Sequence, residues 1–239
     1  MAIKDYEAEV VVRLPEGGGA SQIAAAVDRM VRWLARHWLA VFNTCVAVFV
    51  ALPFLAPVFM ETGATGLGRL IYTVYSPTCH QLPERSYFLF GERAVYSVED
   101  LGEAGAIPRG LGLLEREILR FPGNDEIGYK VAFCERDAAI YGFILLAGLL
   151  FAVARRPWAG RPMPKIPLWL YGLFLLPIAL DGFTQLFGWR ESTWFLRLVT
   201  GGLFGFATVW VTYPYVQEAM DDVLKSTPLH GARAGGEEP

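Results

Sequence analysis

Four long stretches of this chain are almost free of ionisable side chains, and they limit what it can fold into. His37 to Met60 is a run of 24 residues without Asp, Glu, Lys or Arg, and Ala138 to Ala154 is a second of 17. Ile166 to Trp189 is interrupted only by Asp181, and Thr193 to Gln217 only by Arg197. A hydrocarbon core about 30 Å thick needs roughly 20 apolar residues at a helical rise of about 1.5 Å each. Each run is therefore read as a membrane-spanning helix. The expected fold class is all-α: a polytopic membrane protein with about four transmembrane helices, a long outer loop and an N-terminal amphipathic helix.

The expected organisation follows from these boundaries. Residues 1–36 form a cytoplasmic N-terminal segment. Residues 37–217 form a four-span membrane domain, with spans near 37–60, 138–154, 166–189 and 193–217 and an outer segment over 61–137. Residues 218–239 form a cytoplasmic, largely disordered tail, rich in Gly, Ala and acids after Leu229. Composition agrees: 54% of residues are hydrophobic, only 19% are charged, and mean hydropathy is +0.34. A net charge of -3, with no basic face, excludes the usual electrostatic case for nucleic-acid binding. The expected partner is the lipid bilayer; a membrane-protein partner or a second copy stays open.

Short loops orient the bundle. Arg155, Arg156, Arg161 and Lys165 join spans two and three without an acid, and Arg29, Arg32 and Arg36 precede span one. The positive-inside rule puts both on the cytoplasmic side of a cell inner membrane. Four spans return the C terminus to that side, and the 61–136 segment and the 189–192 turn face outward. Ile23, Val27, Val31 and Leu34 recur at helical spacing, and Ser21 could cap the helix they imply. Glu7 to Leu14 alternates weakly, and Pro15 to Gly19 reads as a turn. Pro53 and Pro57 should bend the far end of span one.

With that orientation, scattered polar residues converge. Arg136 and Asp137 stand at the outer mouth of span two. Asp181 lies roughly 12 Å below the outer end of span three, and Arg197 roughly 6 Å below the outer end of span four, by helical rise. The two are close enough in depth to pair across the 189–192 hairpin. Gln185 sits one turn beyond Asp181 on the same face. Cys79, His80, Gln81 and Arg85 belong to the outer segment. Intramembrane ionisable groups are costly and mark functional candidates, although an Asp181–Arg197 pair could serve only helix registry. Gly201-x-x-x-Gly205 is a small-residue pattern for close helix packing.

The candidate polar site is Cys79, His80, Gln81, Arg85, Arg136, Asp181, Gln185 and Arg197. Cys79, His80, Cys134 and Asp137 offer sulfur, nitrogen and carboxylate donors, a set that suits zinc. A Cys79–Cys134 disulfide and free, reactive thiols are the alternatives, and Asp137 could instead cap span two. Cys45, inside span one, reads as a small packed hydrophobe. Leu111 to Phe121 could form a short amphipathic helix in a turn-rich excursion. No complete catalytic constellation is recognisable, so enzymatic action on a lipid or small amphiphile and a non-catalytic accessory or assembly role both stand.

The string Tyr75-Ser-Pro-Thr-Cys-His-Gln-Leu-Pro-Glu-Arg-Ser86, followed by Phe88 to Gly91, resembles the signature of an uncharacterised bacterial membrane-protein family, domain of unknown function 2085. So do Cys134-x-Arg136 with Ile140, Tyr141 and Phe143, and the later Asp181-Gly182-x-Thr184-Gln185, Glu191-Ser192, Arg197 and Thr200-Gly201. The resemblance spans about residues 65–215 and implies several membrane spans without an established activity. The family usually carries Cys-x-Arg-Cys at the second motif; here Asp137 replaces the second Cys, which weakens a three-thiolate or Cys-x-x-Cys reading. The 92–130 excursion is also longer than is usual there.

Overall fold

The structure is a computed structural model that describes residues 18–158, 161 and 163–226. Expectations for residues 1–17 and for the tail beyond 226 lie outside the described residues. Among the described residues seven α-helices and three short strands follow one another, besides 3-10 turns at Pro83–Arg85 and Arg156–Trp158: α1 (Gly18–Glu61), α2 (Thr65–Tyr75), β1 (Ser86–Leu89), α3 (Val98–Glu103), α4 (Leu113–Leu119), β2 (Gly123–Asn124), β3 (Gly128–Cys134), α5 (Glu135–Ala154), α6 (Leu168–Leu186) and α7 (Trp194–Lys225).

Four of these helices, α1, α5, α6 and α7, are long and apolar enough to cross a membrane. The chain is a multi-pass membrane protein. On α6, Leu173, Leu176, Leu180 and Phe183 are all more than half exposed and recur at helical spacing, so this face turns to the bilayer. The span boundaries read from charge agree with α5 and α6 to within three residues. The helices of the other two spans are longer. α1 starts at Gly18, so Ser21 lies inside it rather than capping it, and it continues through Pro53 and Pro57 to Glu61. α7 runs on to Lys225, past the expected span end at Gln217.

Among the described residues the chain divides into two compact units, 18–38 with 219–226, and Leu39–Glu218. In the first, Ile23, Val27, Val31 and Leu34 are exposed on α1. Arg32 pairs with Asp28 at 2.9 Å and donates to the Leu224 and Ser226 carbonyls at 3.3 and 2.7 Å. Those carbonyls lie in the last turn of α7 and just beyond it, where helix acceptors lack internal partners and a cation is favoured.

In the second unit, α1 runs antiparallel to α5: Phe49 meets Tyr141 edge-on, and further back Gly148 backs onto Asn43. α5 and α7 run parallel and close. A Cβ at Gly201 would stand 2.9 Å from the Arg136 carbonyl oxygen, and one at Gly205 would overlap the Ile140 carbonyl. The Gly201-x-x-x-Gly205 pattern thus does what its spacing suggests: it lets two backbones touch.

The 61–137 segment holds a sheet that the sequence reading did not anticipate. Its strand order is β1-β3-β2, all antiparallel, with Ser86 opposite Cys134 and Phe88 opposite Lys130. The β2–β3 hairpin turns on Asn124, whose Oδ1 accepts from the Glu126 and Ile127 amides at 3.1 and 3.0 Å, a side-chain mimic of a backbone turn. Val131, Ala132 and Phe133 are fully buried and pack with Ala56, Tyr75 and Cys79. This core fastens the sheet to the end of α1 and to α2. The expected 111–121 helix is present as the shorter α4.

Candidate functional site

The site is built where β3 passes directly into α5. Cys134 is the last residue of the strand and also the N-cap of the helix, its Sγ accepting from the Asp137 amide at 3.4 Å. The cap of this span is therefore Cys134, not Asp137. The antiparallel register with β1 brings the 79–82 loop alongside. The buried Cys79 Sγ accepts from the Cys134 amide at 3.1 Å and from the Gln81 amide at 3.4 Å. Among the described residues, the donor atoms of Cys79, Cys134 and Asp137 all lie within 4.8 Å of one another. The two thiols are unbridged. The hydrogen bond to Cys79, and then burial, hold the Cys134 thiol well above its ordinary pKa, so without a cation to compensate it stays protonated at neutral pH.

Gln81 takes a left-handed backbone conformation, φ 54°. This is uncommon for a residue with a side chain, and three contacts hold it. Its amide meets Cys79, its Nε2 donates to the Tyr72 carbonyl at 2.8 Å, and its own carbonyl accepts from Lys130 Nζ. Lys130 is 1% exposed, and no carboxylate pairs with it among the described residues. Burial lowers its pKa to about 8, and the nearby Cys79 opposes that shift by favouring the charged amine.

Deeper in the bundle lie two ion-paired knots. Asp181, 1% exposed, accepts from Arg136, from Arg190 Nη2 at 2.7 Å and from Ser192 Oγ at 3.0 Å. Gln185 Oε1 accepts from Arg136 at 3.3 Å. Arg197 donates to Glu135 Oε2 at 2.8 Å and to the Ser192 carbonyl at 2.6 Å. The expected Asp181–Arg197 pair is thus replaced by a crossed arrangement. Depth alone suggested that pairing. The N terminus of α5 inserts between the two, supplying a guanidinium to Asp181 and a carboxylate to Arg197.

One cavity of about 300 Å³ is lined by Cys79, His80, Gln81, Arg85, Cys134, Arg136, Asp137, Gln185 and Arg197, and Arg136 and Arg197 join it to the two ion-paired knots. His80 lines it but stays outside the donor cluster. Its side chain is 74% exposed and its Nε2 lies 3.9 Å from Glu117 on α4. Arg85 is half-buried; burial and the neighbouring Arg197 both push its pKa down. Glu135, Arg190, Ser192 and Lys130 escaped the sequence reading of the site. Glu135 sat within a polar cluster already singled out, so that signal was present; Lys130 became visible only through strand register.

The resemblance read from the motifs is borne out. Residues 127–211 match the family described as "Predicted membrane protein (DUF2085)". That stretch takes in Cys134, Arg136, Asp181, Gln185 and Arg197, whereas the Cys79–Ser86 string precedes it. The chain is also similar to an archaeal protein, "Uncharacterized protein MJ1492" of Methanocaldococcus jannaschii. The two are 28% identical over 187 residues, covering 76% of this chain and 93% of that protein. No solved structure matches the chain.

Proposed function

We propose that Cys79, Cys134 and Asp137 hold a transition-metal ion, zinc by donor chemistry, at the outer face of a plasma membrane, and that this centre acts on a lipid or small amphiphile entering the adjoining cavity. The observation that carries the reading is the convergence of three donors of metal-ligating type on one corner of a cavity that three guanidiniums also line. Two thiolates and a carboxylate neutralise a divalent cation with one negative charge to spare. Three protein ligands leave a fourth position for water or substrate, the arrangement of catalytic rather than structural zinc. The Cys134 thiol, protonated when empty, would release its proton on metal uptake. In this reading His80 is a cavity-wall residue and not a ligand, and both termini are cytoplasmic.

The test is elemental analysis of the protein purified in a non-chelating detergent. Stoichiometric zinc is expected, lost in Cys79→Ser and Cys134→Ser. Zinc-free wild-type protein with reduced thiols would overturn the reading. The orientation is tested separately: after chelation, an impermeant maleimide added to intact spheroplasts should label Cys79 or Cys134 of a Cys45→Ala variant. Labelling only after lysis would invert the topology.

A second reading, a non-catalytic accessory or assembly subunit, draws on the two buried ion-paired knots, which tie α5, α6 and α7 together at one end. It expects a membrane-protein partner on purification and an unchanged phenotype when the thiols are removed.

A further inference from the structure

The cavity carries more positive charge than its neighbours absorb. Asp181 is shared between Arg136 and Arg190, and Glu135 is taken by Arg197. Arg85 lines the same cavity, and among the described residues no carboxylate lies within ion-pairing distance of it. Glu84 and Glu191 act on it only from further away, and Glu84 already faces Arg116 at 3.4 Å. Three buried donors also lack an acceptor: Arg136 Nε, Arg197 Nε and Gln185 Nε2. Arg197 is only 7% exposed. A buried donor without a partner costs about 1–3 kcal/mol, more when charged, and in native proteins calls for an explanation. α5 and α7 both begin here, adding the positive ends of their dipoles.

We infer that this cavity binds a phosphate-class oxyanion, held by Arg85 with Arg136, Gln185 and Arg197. Guanidinium forks match the paired oxygens of a phosphate, and a tetrahedral oxyanion offers acceptors to several forks at once, where a carboxylate offers two oxygens in one plane. A volume of about 300 Å³ suits a headgroup or a free small anion rather than a whole lipid. The inference names the substrate chemistry of the cavity described above and so rests on that reading, but its decisive residue, Arg85, is not a metal donor.

The test uses the full chain, delipidated in maltoside detergent, titrated with inorganic phosphate, with dioctanoyl phosphatidate and with dioctanoylglycerol, which has the same tails and no phosphate. Binding is followed by thermal shift and calorimetry. Inorganic phosphate or phosphatidate should bind and dioctanoylglycerol should not; binding of phosphatidate alone would identify a lipid headgroup as the source. Arg85→Gln should weaken binding roughly tenfold or more, and Arg85→Lys should recover part of it. Zinc content should be unchanged in both. Binding by neither phosphate probe, or equal binding by Arg85→Gln and wild type, overturns the inference. Phosphate binding that survives in zinc-free protein would leave this inference standing while the metal reading fails.

Discussion

The two ends of the Leu39–Glu218 bundle hold charges in opposite ways. At one end Asp181 and Glu135 are fully buried and gather Arg136, Arg190 and Arg197 around them. At the other, Lys165 pairs with an exposed Glu218, and Arg155 donates to Gln217 at 2.5 Å. Both ends tie α7 to its neighbours, and exposed contacts are enough for that task at the second. Buried ion pairs are poor stabilisers, because desolvation offsets most of their attraction. A bundle that needed only cohesion would have no use for them. Two of their arginines line a cavity beside two thiols and Arg85, which has no carboxylate partner among the described residues, and that placement favours a site that needs fixed charge.

The contrast can be broken first at Asp181. Asp181→Asn leaves two guanidiniums facing a neutral amide, and the expected loss is about 3–5 kcal/mol, read as a fall in detergent melting temperature. Glu135→Gln strands a single guanidinium, Arg197, and should cost about 3 kcal/mol. Adding Arg197→Met to it should restore much of that loss. No recovery would mean that Arg197 has another anionic partner.

Lys130 sharpens the comparison through pH. Its folded pKa of about 8 lies below the ordinary value of 10.5, so its contribution to stability is present above 10.5 and lost as pH falls through 8. The stability of wild type relative to Lys130→Met should therefore rise between pH 8 and 10.5, by something of order 2 kcal/mol. Both proteins are compared in a Cys79→Ser, Cys134→Ser background, so that thiol titration does not enter the difference. A flat difference would mean that Lys130 is not buried. Gly205→Ala presses a methyl onto the Ile140 carbonyl and should cost about 1–2 kcal/mol. Smallest of all, Lys165→Ala at the opposite end should leave the melting temperature unchanged, since exposed pairs contribute little.

Most of the helical architecture was legible because its signal is local. A charge-free stretch of 17 to 24 residues has few ways to fold, and α5 and α6 begin and end where charged or turn residues do. The sheet was not legible, because its signal is not local. β3 reads Gly-Tyr-Lys-Val-Ala-Phe-Cys, with five of its seven residues buried, so the polar–apolar alternation of a half-exposed strand is missing, and its lysine looks like a surface charge. β1 is four residues long and its partner lies some 40 residues away. Most residues that line the cavity were singled out in the sequence, but their pairings were misread. Helical rise gave Asp181 and Arg197 similar depths, but the choice of partner depends on how α5 is rotated between them, and Gly201 and Gly205 govern that by close packing. His80 illustrates the reverse error. Donor chemistry alone suggested an imidazole ligand, whereas the side chain is exposed and its Nε2 lies 3.9 Å from Glu117.

The central claim is that one corner of this cavity is a metal centre. Its most direct measurement is the metal content of the purified full chain beside that of Cys134→Ser, which keeps a hydroxyl able to cap α5. The account predicts stoichiometric zinc in the first and none in the second, with similar melting temperatures once the wild type is stripped of metal. A wild-type protein that stays metal-free when purified with reduced thiols and supplied with zinc would contradict it.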